Sequence, residues 1–348
     1  MAEGWLTTKP DDHVVGRPLS DGGPGFVAAV ATALMTSVHE VWVTGPRGEK
    51  VLASFAMKGD QAWIEAASAC GLHLISEGQL NPRTTTSFGV GELIQAALAL
   101  NATHITIGLG GTGTNDGGAG MLSALGATSQ SAPLNQGGSA LTSIADIYLD
   151  AVRTLLEGVT LVAASDVDNP LLGLRGATAT FARQKGADDF AVMELETALA
   201  NFSAVCGRRV DGKDAAVALG AGAAGGLGFA LIHLGAQRVS GISTVMEILG
   251  IEEQIRLADL VITGEGCLDD QTLHGKVVTG VAQLAAKCGV PCVALAGEVR
   301  LGKREISNAG IDSAYAMKDL VGAEVSLTQP ASSLRALTAR VAKSWGRA

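Results

Sequence analysis

Short runs of β-branched and apolar residues recur along the chain, and each is followed by glycine or an acidic residue and then by a helical pattern. This alternation is typical of a mostly parallel β-sheet with helices packed on its faces. It therefore predicts an α/β fold, in which ligands bind at the carboxyl ends of the strands. The runs are VVGRPLSDGG, HITIGLGG, TLVAASDVDNP, DLVITGEG, VPCVALAGE and SAYAM.

Other segments indicate helices and an antiparallel element. Helical patterns occur at residues 91–100, 188–205 and 277–288. The stretch VWVTGPRGEKVLASFAMKGDQAWIEAASA instead shows strands joined by tight turns, which predicts antiparallel pairing. A C-terminal amphipathic helix packed on the body is predicted by the spacing of Leu334, Leu337, Val341 and Trp345.

Length and charge limit the possible classes of protein. A chain of 348 residues predicts two domains, because single hydrophobic cores rarely exceed roughly 250 to 300 residues. The formal net charge of −9 gives no basic surface for a phosphate backbone, so we expect no nucleic-acid partner. The N-terminus lacks the pattern of a signal peptide and the five cysteines are scattered, so we expect a cytoplasmic protein with reduced thiols. The uncharged stretch 215–236 contains central glycines and is interpreted as a buried loop entering a helix, so we expect no membrane partner.

A glycine-rich stretch, HITIGLGGTGTNDGGAGMLSALGA, occupies residues 104–127. Gly108, Gly110 and Gly113 have the G-x-G-x-x-G spacing of a dinucleotide site. That fingerprint also requires an acidic residue about 20 residues further on, and the segment TSQSAPLNQGG has none, which disfavours an oxidoreductase. A second near-match, GEVRLGKR, has Arg304 where a phosphate loop needs a hydroxyl, which favours a loop with solvated basic residues.

The glycine-rich stretch has the composition of an anion-binding loop. Backbone N–H groups at the start of a helix attract phosphate, and small residues allow it to approach closely. The alternative is a tight strand-to-helix turn in which Asp116 caps the helix. The residues concerned are Gly110, Gly111, Thr112, Thr114, Asn115 and Asp116.

Acidic side chains follow three of the other runs. Carboxylate oxygens suit Mg²⁺ that bridges substrate phosphates, and one carboxylate could accept a proton from an attacking hydroxyl group. Lys276, beside a glycine, is a natural point charge for a phosphoryl group. Turn caps and solvated acids are the alternative interpretation, and a structural role is favoured for His274. The clusters contain Asp21, then Asp166, Asp168 and Asn169, and finally Glu265, Asp269 and Asp270.

In their order along the chain these motifs resemble the class I glycerate kinase family. The resemblance extends from Asp21 to Val299. It implies ATP-dependent phosphorylation of D-glycerate, usually at the 2-hydroxyl group, with Mg²⁺. We expect the protein to be a monomer or homodimer. The resemblance also implies a Rossmann-like domain formed from both chain ends, residues 1–45 and 243–348, and an inserted α/β domain at 46–242. The motifs are DGGPGF, NPRTTTSFGVGELIQAAL, IGLGGTGTNDGGAGMLSALGA, SDVDNPLLGLRGAT, RQKGA, GAGAAGGLGFAL and DLVITGEGCLDDQTLHGK.

The resemblance implies roles for the candidate residues. The loop 110–114 and Lys276 are expected on phosphates, and Asp168 or Asp116 on Mg²⁺ or the attacking hydroxyl group. Which loop holds ATP and which holds glycerate stays open. The alternative function is a degenerate, non-catalytic relative that binds an anionic metabolite or nucleotide. The further site residues are Asp166 as a second Mg²⁺ ligand, Asp21 and Glu265 in the substrate cleft, and Asn115, Asn169 and Asp269 as substrate- or phosphate-binding residues.

The chain departs from the family pattern in two places. Cys267 stands where arginine is common after GEG. Family members also begin with a strand leading into Asp-x-Phe-Lys-Gly, whereas this sequence begins MAEGWLTTKPDD. We therefore expect a strand at residues 14–19 to lack its neighbour, and a form with about 30 more N-terminal residues to be more stable and more active.

Overall fold

The computed structural model describes residues 1–270, 272–274 and 277–345. The chain forms two compact units, one from Ser20–Val245 and one from Met1–Leu19 with Met246–Ala348. Each unit contains a β-sheet with parallel strands and flanking helices. The predicted α/β fold, with a second α/β domain inserted into a Rossmann-like one, is confirmed.

The larger unit is built on a six-stranded sheet with the order β1-β2-β3-β4-β5-β6. The first three strands pair antiparallel, as their tight turns predict, and the pairs from β3 to β6 are parallel. The central strands are apolar because helices cover both faces, and Ile105 and Ile107 are fully buried. The strands are β1 (Ser37–Thr44), β2 (Lys50–Lys58), β3 (Gln61–Glu65), β4 (His104–Gly108), β5 (Thr160–Ala164) and β6 (Gln237–Val239).

Helices of the larger unit enclose one continuous apolar core that includes Phe55, Phe202 and Phe229. The longest helix starts at an N-cap, Asp188, whose side chain accepts a hydrogen bond from Ala191 N at 2.7 Å. The helices are α2 (Phe26–Leu34), α3 (Ala66–Cys70), α4 (Phe88–Ala99), α5 (Ala119–Ala124), α6 (Asp150–Leu155), α7 (Ala177–Phe181), α8 (Asp189–Cys206), α9 (Leu227–His233) and α10 (Gly241–Ile248), after α1 (Ala2–Thr8) of the smaller unit.

The smaller unit contains a three-stranded parallel sheet with the order β7-β8-β9. The predicted C-terminal amphipathic helix is present, and its Leu337 and Val341 pack with Trp5 and Leu295 in an apolar cluster. The elements are α11 (Ile251–Arg256), β7 (Val261–Leu268), α12 (Val277–Cys288), β8 (Cys292–Val299), α13 (Lys303–Asn308), β9 (Ser313–Ala316), α14 (Met317–Val321), α15 (Ala323–Thr328) and α16 (Pro330–Trp345).

Two expectations differ from the structure. Residues 14–19 form no strand, because Gly16 and Pro18 interrupt the run and proline cannot donate a ladder hydrogen bond. The predicted domain boundaries at 45 and 243 also differ from those of the compact units, which fall after Leu19 and Val245. Helix α2 and strand β1 lie between residues 19 and 45, and β1 pairs with β2 along its whole length, so it belongs to the larger unit.

The uncharged stretch 215–236 contains the seven-residue helix α9, which is buried along its entire length. Within the described ranges, no helix combines the length and apolar character that crossing a membrane would require. The interpretation of this stretch as a loop entering a helix is confirmed.

Candidate functional site

Four loops of the larger unit meet at the carboxyl ends of β4, β5 and β6. Leu109 N donates to Ala164 O at 3.1 Å, and Gly110 N donates to Gly22 O at 3.1 Å. A Cβ atom at Gly22 would lie 2.8 Å from Ala164 O, and the φ angle of Gly22 is +94°. Only glycine allows this close approach. The predicted clusters around Asp21, Gly110 and Asp166 are therefore brought together at one edge of the sheet, where ligands of α/β folds bind.

The glycine-rich loop exposes only its first part. Gly111 is exposed and Gly110 is partly exposed, whereas Thr112 is 5% exposed and Thr114 and Asn115 are 0% exposed. Of the predicted phosphate-binding residues in this loop, only Gly110 and Gly111 can therefore be reached from solvent in this conformation.

A second glycine-rich segment, residues 220–226, packs against the inner part of that loop. Gly117 N donates to Gly225 O at 3.0 Å, and a Cβ atom at Gly225 would lie 2.0 Å from Thr114 O. These glycines allow two backbone segments to approach each other. Gly220, Gly222 and Gly225 have the G-x-G-x-x-G spacing. Here that spacing reflects packing inside the protein and not a dinucleotide site.

Asp116 is fully buried and accepts four hydrogen bonds. Its Oδ2 atom accepts from Ser87 N at 2.8 Å, Ser87 Oγ at 2.8 Å and Gly120 N at 3.2 Å, and its Oδ1 atom accepts from Gly118 N at 3.1 Å. Burial raises the pKa of this carboxyl group, and the hydrogen bonds from Ser87, Gly118 and Gly120 oppose the rise. The geometry favours the alternative in which Asp116 anchors the start of α5, over the predicted catalytic role.

A buried lysine supports the same loop. Lys185, in the RQKGA motif, is 2% exposed, and its Nζ atom donates to Thr114 O at 2.7 Å. Burial lowers the pKa of Lys185 to about 8, although the thiol of Cys70 and the carboxyl group of Asp116 act in the opposite direction. Sequence reasoning assigned Lys185 no role, because a single lysine is usually exposed.

Asp166 and Asp168 follow β5 but have different environments. Asp166 accepts from Ser240 Oγ at 2.6 Å and from Ile242 N at 3.1 Å, so both of its oxygens hold the start of α10. Asp168 is 62% exposed, and its Oδ1 atom lies 2.7 Å from Nη2 of Arg238. Asp168 therefore presents an accessible carboxylate beside a cation.

Asp21 lies close to Asp166. A Cβ atom at Gly241 would lie 2.0 Å from Asp21 O, and the next residue, Ile242, donates its N–H to Asp166. Burial raises the pKa of Asp166, and the negative charge of Asp21 raises it further. Asp21 Oδ1 accepts from Gly23 N at 3.1 Å. The two carboxylates form a local concentration of negative charge that a cation would stabilise.

Asn169 holds its own loop together. Its Nδ2 atom donates to Arg175 O at 2.7 Å and to Thr180 Oγ1 at 3.1 Å. The NH₂ group is thus occupied within the protein, and through it Asn169 supports the loop that carries Asp168.

The remaining candidates belong to the smaller unit. Glu265 Oε1 accepts from Thr272 Oγ1 at 2.5 Å, and the backbone N–H of Asp269 donates to the same hydroxyl oxygen at 3.0 Å. Thr272 therefore links the end of β7 to the turn that follows it. Lys276 and the side chain of His274 lie outside the described residues.

Within the described part of the chain, no three His, Cys, Asp or Glu side chains are grouped as a metal site. A Mg²⁺ ion that enters with nucleotide phosphates requires only one or two protein carboxylates. Asp21 and Asp166 provide two such carboxylates at this edge, since Gly241 packs against the backbone of Asp21 and the next residue, Ile242, donates to Asp166. Asp168, the other predicted metal ligand, is instead paired with Arg238.

Arg238, like Lys185, is a residue of the site that the sequence did not reveal. Strand β6 contains only three residues, which is too short for an alternating pattern to reveal it. The available signal was a cation within a short polar and β-branched run, QRVSG, directly before a helix.

The parallel strands of the larger unit, with a polar cluster at their carboxyl ends, define an α/β protein with a candidate ligand site at this edge. The model of the glycerate kinase family matches residues 1–346. Glycerate 2-kinase of Escherichia coli K12 is 42% identical over 330 residues, covering 92% of this chain and 86% of that protein. Glycerate kinase of Bacillus subtilis 168 is 42% identical over 323 residues, covering 91% of this chain and 84% of that protein.

A solved structure supports the same family. The crystal structure of a provisionally assigned glycerate kinase 2 from Salmonella typhimurium LT2 aligns with a TM-score of 0.77 and 38% identity, covering 99% of this chain and 91% of that one. The chain belongs to the glycerate kinase family. It is therefore an enzyme, a phosphotransferase with an alcohol group as acceptor.

Proposed function

We propose that this enzyme transfers the γ-phosphoryl group of ATP to the 2-hydroxyl group of D-glycerate and releases 2-phosphoglycerate and ADP. The observation that carries the proposal is the match to the family over residues 1–346, together with relatives named glycerate kinase and glycerate 2-kinase. The accessible carboxylate of Asp168 at the strand ends supports it, because such a group can accept the proton of an attacking hydroxyl.

The larger unit supplies distinct groups for this reaction. Asp168 accepts the proton of the acceptor hydroxyl group, and the exposed backbone at Gly111 lies against a phosphoryl group, since the N–H group of Gly110 already donates to Gly22 O. Asp116 and Lys185 take no part in binding the substrate. Their buried side chains hold the glycine-rich loop in place through hydrogen bonds. In phosphoryl transfer the protein contributes mainly by positioning the reactants and neutralising charge, so a rigid loop favours the reaction.

Mg²⁺ would be held by Asp21 and Asp166 together with the phosphates of ATP. When bound, the ion supplies positive charge that offsets the negative charge of the transferred group. Without a cation, the carboxylates of Asp21 and Asp166 repel each other and the incoming nucleotide.

The test is release of ADP that depends on D-glycerate, in the presence of ATP and Mg²⁺, followed by ³¹P NMR of the product. Formation of 2-phosphoglycerate at a rate well above that without glycerate is expected. Binding of glycerate or nucleotide without turnover would instead indicate a non-catalytic relative, and 3-phosphoglycerate as the main product would refute the proposed position of transfer.

A further inference from the structure

Arg238 is held in one orientation at the end of β6. Its Nε atom donates to Ser165 O at 3.1 Å, and its Nη2 atom lies 2.7 Å from Asp168 Oδ1. The side chain is 25% exposed, so the guanidinium group is partly sheltered and still reachable. Two anchors on one side of a planar group fix the direction of its remaining N–H donors.

The second glycine-rich segment also contacts Arg238. A Cβ atom at Gly220, where φ is +84°, would lie 3.2 Å from Cδ and 3.3 Å from Cγ and Nε of Arg238. The aliphatic part of Arg238 therefore packs directly on glycine backbone. Packing and hydrogen bonding together prearrange the guanidinium group.

Within the described part of the chain, this guanidinium group keeps N–H donors that bind no protein acceptor. A guanidinium has five N–H donors, and the contacts to Ser165 and Asp168 use two of them. A fixed guanidinium binds a carboxylate through two parallel hydrogen bonds. Three acids, Asp21, Asp166 and Asp168, lie at this edge of the sheet, so an anionic acceptor needs a cation here to approach.

We infer that Arg238 binds the carboxylate of the acceptor and thereby selects a 2-hydroxy acid and directs its 2-hydroxyl group to Asp168. The hydroxyl group nearest to that carboxylate is the one on the adjacent carbon, and Asp168 lies directly beside the guanidinium group. The inference rests on the proposed function and adds the residue that recognises the substrate.

The transfer step breaks two bonds and forms two. The O–H bond of the 2-hydroxyl group breaks and its proton passes to the carboxylate of Asp168. The freed oxygen forms a bond to the γ-phosphorus of ATP, and the bond between that phosphorus and the bridging oxygen breaks, so that ADP leaves. Arg238 takes no part in bond making and contributes by binding the acceptor carboxylate in place.

The test compares Arg238→Gln and Arg238→Lys with wild type in steady-state kinetics. Arg238→Gln is expected to raise the KM for D-glycerate about 100-fold and to leave the KM for ATP within about twofold, because two charge-assisted hydrogen bonds to one substrate are lost. Arg238→Lys, which keeps the charge but not the bidentate geometry, is expected to fall between Arg238→Gln and wild type.

A neutral substrate analogue isolates the carboxylate contact. Wild type should prefer D-glycerate strongly over its amide, glyceramide, in kcat/KM, and Arg238→Gln should lose most of that preference. The residual product of Arg238→Gln should also contain more 3-phosphoglycerate, since the 2-hydroxyl group is no longer directed to Asp168.

Arg208→Gln is the matched control for loss of an arginine, because Arg208 is exposed and its Nη1 atom donates to Gly212 O in a surface turn. It should change neither KM. An Arg238→Gln or Arg238→Lys enzyme that raises the KM for ATP, or leaves that for glycerate unchanged, overturns the inference. Absence of turnover in wild type would instead refute the proposed function.

Discussion

Replacing Asp116 by Asn distinguishes an anchoring carboxylate from a reacting one. In the wild type, one oxygen of Asp116 accepts three hydrogen bonds and the other accepts one, from Gly118 N at 3.1 Å. The asparagine amide has a single oxygen, so its best orientation keeps the three bonds and turns its NH₂ group toward Gly118 N. Two donors then face each other in a fully buried site.

These contacts set the size of the decrease in the free energy of unfolding. A buried N–H group without an acceptor costs about 1 to 3 kcal/mol, and each remaining bond weakens when its acceptor loses its charge. We expect Asp116→Asn to lower the free energy of unfolding by about 3 kcal/mol. For a unit of this size that corresponds to a decrease in Tm of about 6 to 12 °C.

Asp168→Asn gives the contrasting result. Asp168 is 62% exposed, and its ion pair with Arg238 contributes little to stability, so Tm should change by about 1 °C or less. Turnover should fall about 100-fold, because the proton acceptor is lost. Thermal unfolding and kcat are measured on both variants.

Ser87→Ala is the control for the anchoring role, because Ser87 Oγ donates to Asp116 and accepts from Met121 N at 3.0 Å. It should lower Tm in the same direction as Asp116→Asn. If Asp116→Asn kept the wild-type Tm and lost turnover, Asp116 would be a reacting group. The conformation in which Asp116 is buried would then not be the catalytically active one.

Three further substitutions test the packing of the fold. Burial lowers the pKa of Lys185 from 10.5 in the unfolded chain to about 8 in the folded protein, so the unfolded state binds more protons between these values and stability rises with pH there. In denaturant unfolding, wild type should gain about 3 kcal/mol relative to Lys185→Met across that pH range, and equal pH profiles would refute a buried, charged Lys185. Gly225→Ala should lower the free energy of unfolding by about 3 kcal/mol, because its Cβ atom would lie 2.0 Å from Thr114 O at a φ of +65°. Gly158→Ala is the control and should lower it by about 1 kcal/mol, because φ is also positive there, at +76°, but nothing lies within 4 Å of the Cβ atom. Leu337→Ala should lower the unfolding free energy by about 3 kcal/mol, and a change below about 1 kcal/mol would show that α16 is not part of the core.

Local periodicity made much of the fold predictable from the sequence. Helix α12 spans the predicted residues Val277–Cys288, and α8 spans Asp189–Cys206 against a predicted 188–205. Such elements carry their own signal, since apolar spacing and end residues lie within the element itself. The prediction of a strand at 14–19 was wrong. Its apolar residues resemble those of a strand, but Gly16 and Pro18 prevent the hydrogen-bond pairing that a strand needs.

The chemical roles of the acids were not predictable in the same way. Asp116, Asp166 and Asp168 all follow short apolar strands and carry the same functional group. What separates them is the number of donors that other segments direct at each carboxylate: Asp116 receives four, Asp166 receives two, and Asp168 forms an ion pair and stays exposed. Those donors come largely from residues distant in sequence, such as Ser87 and Ser240.

Glycine-rich loops raise the same difficulty, because absence of a side chain permits close approach by a ligand or by another backbone segment. In this chain Gly225 serves the second purpose, since the two glycine-rich segments pack together at Thr114. Between Gly110 and Asp116, only Gly110 and Gly111 stay accessible after that packing, at the edge where Asp168 and Arg238 lie. A substitution at Gly111, where φ is +72° and a Cβ atom would lie 2.7 Å from Cδ of Pro24, should therefore affect both substrate binding and folding, whereas one at the buried Gly225 should affect folding alone.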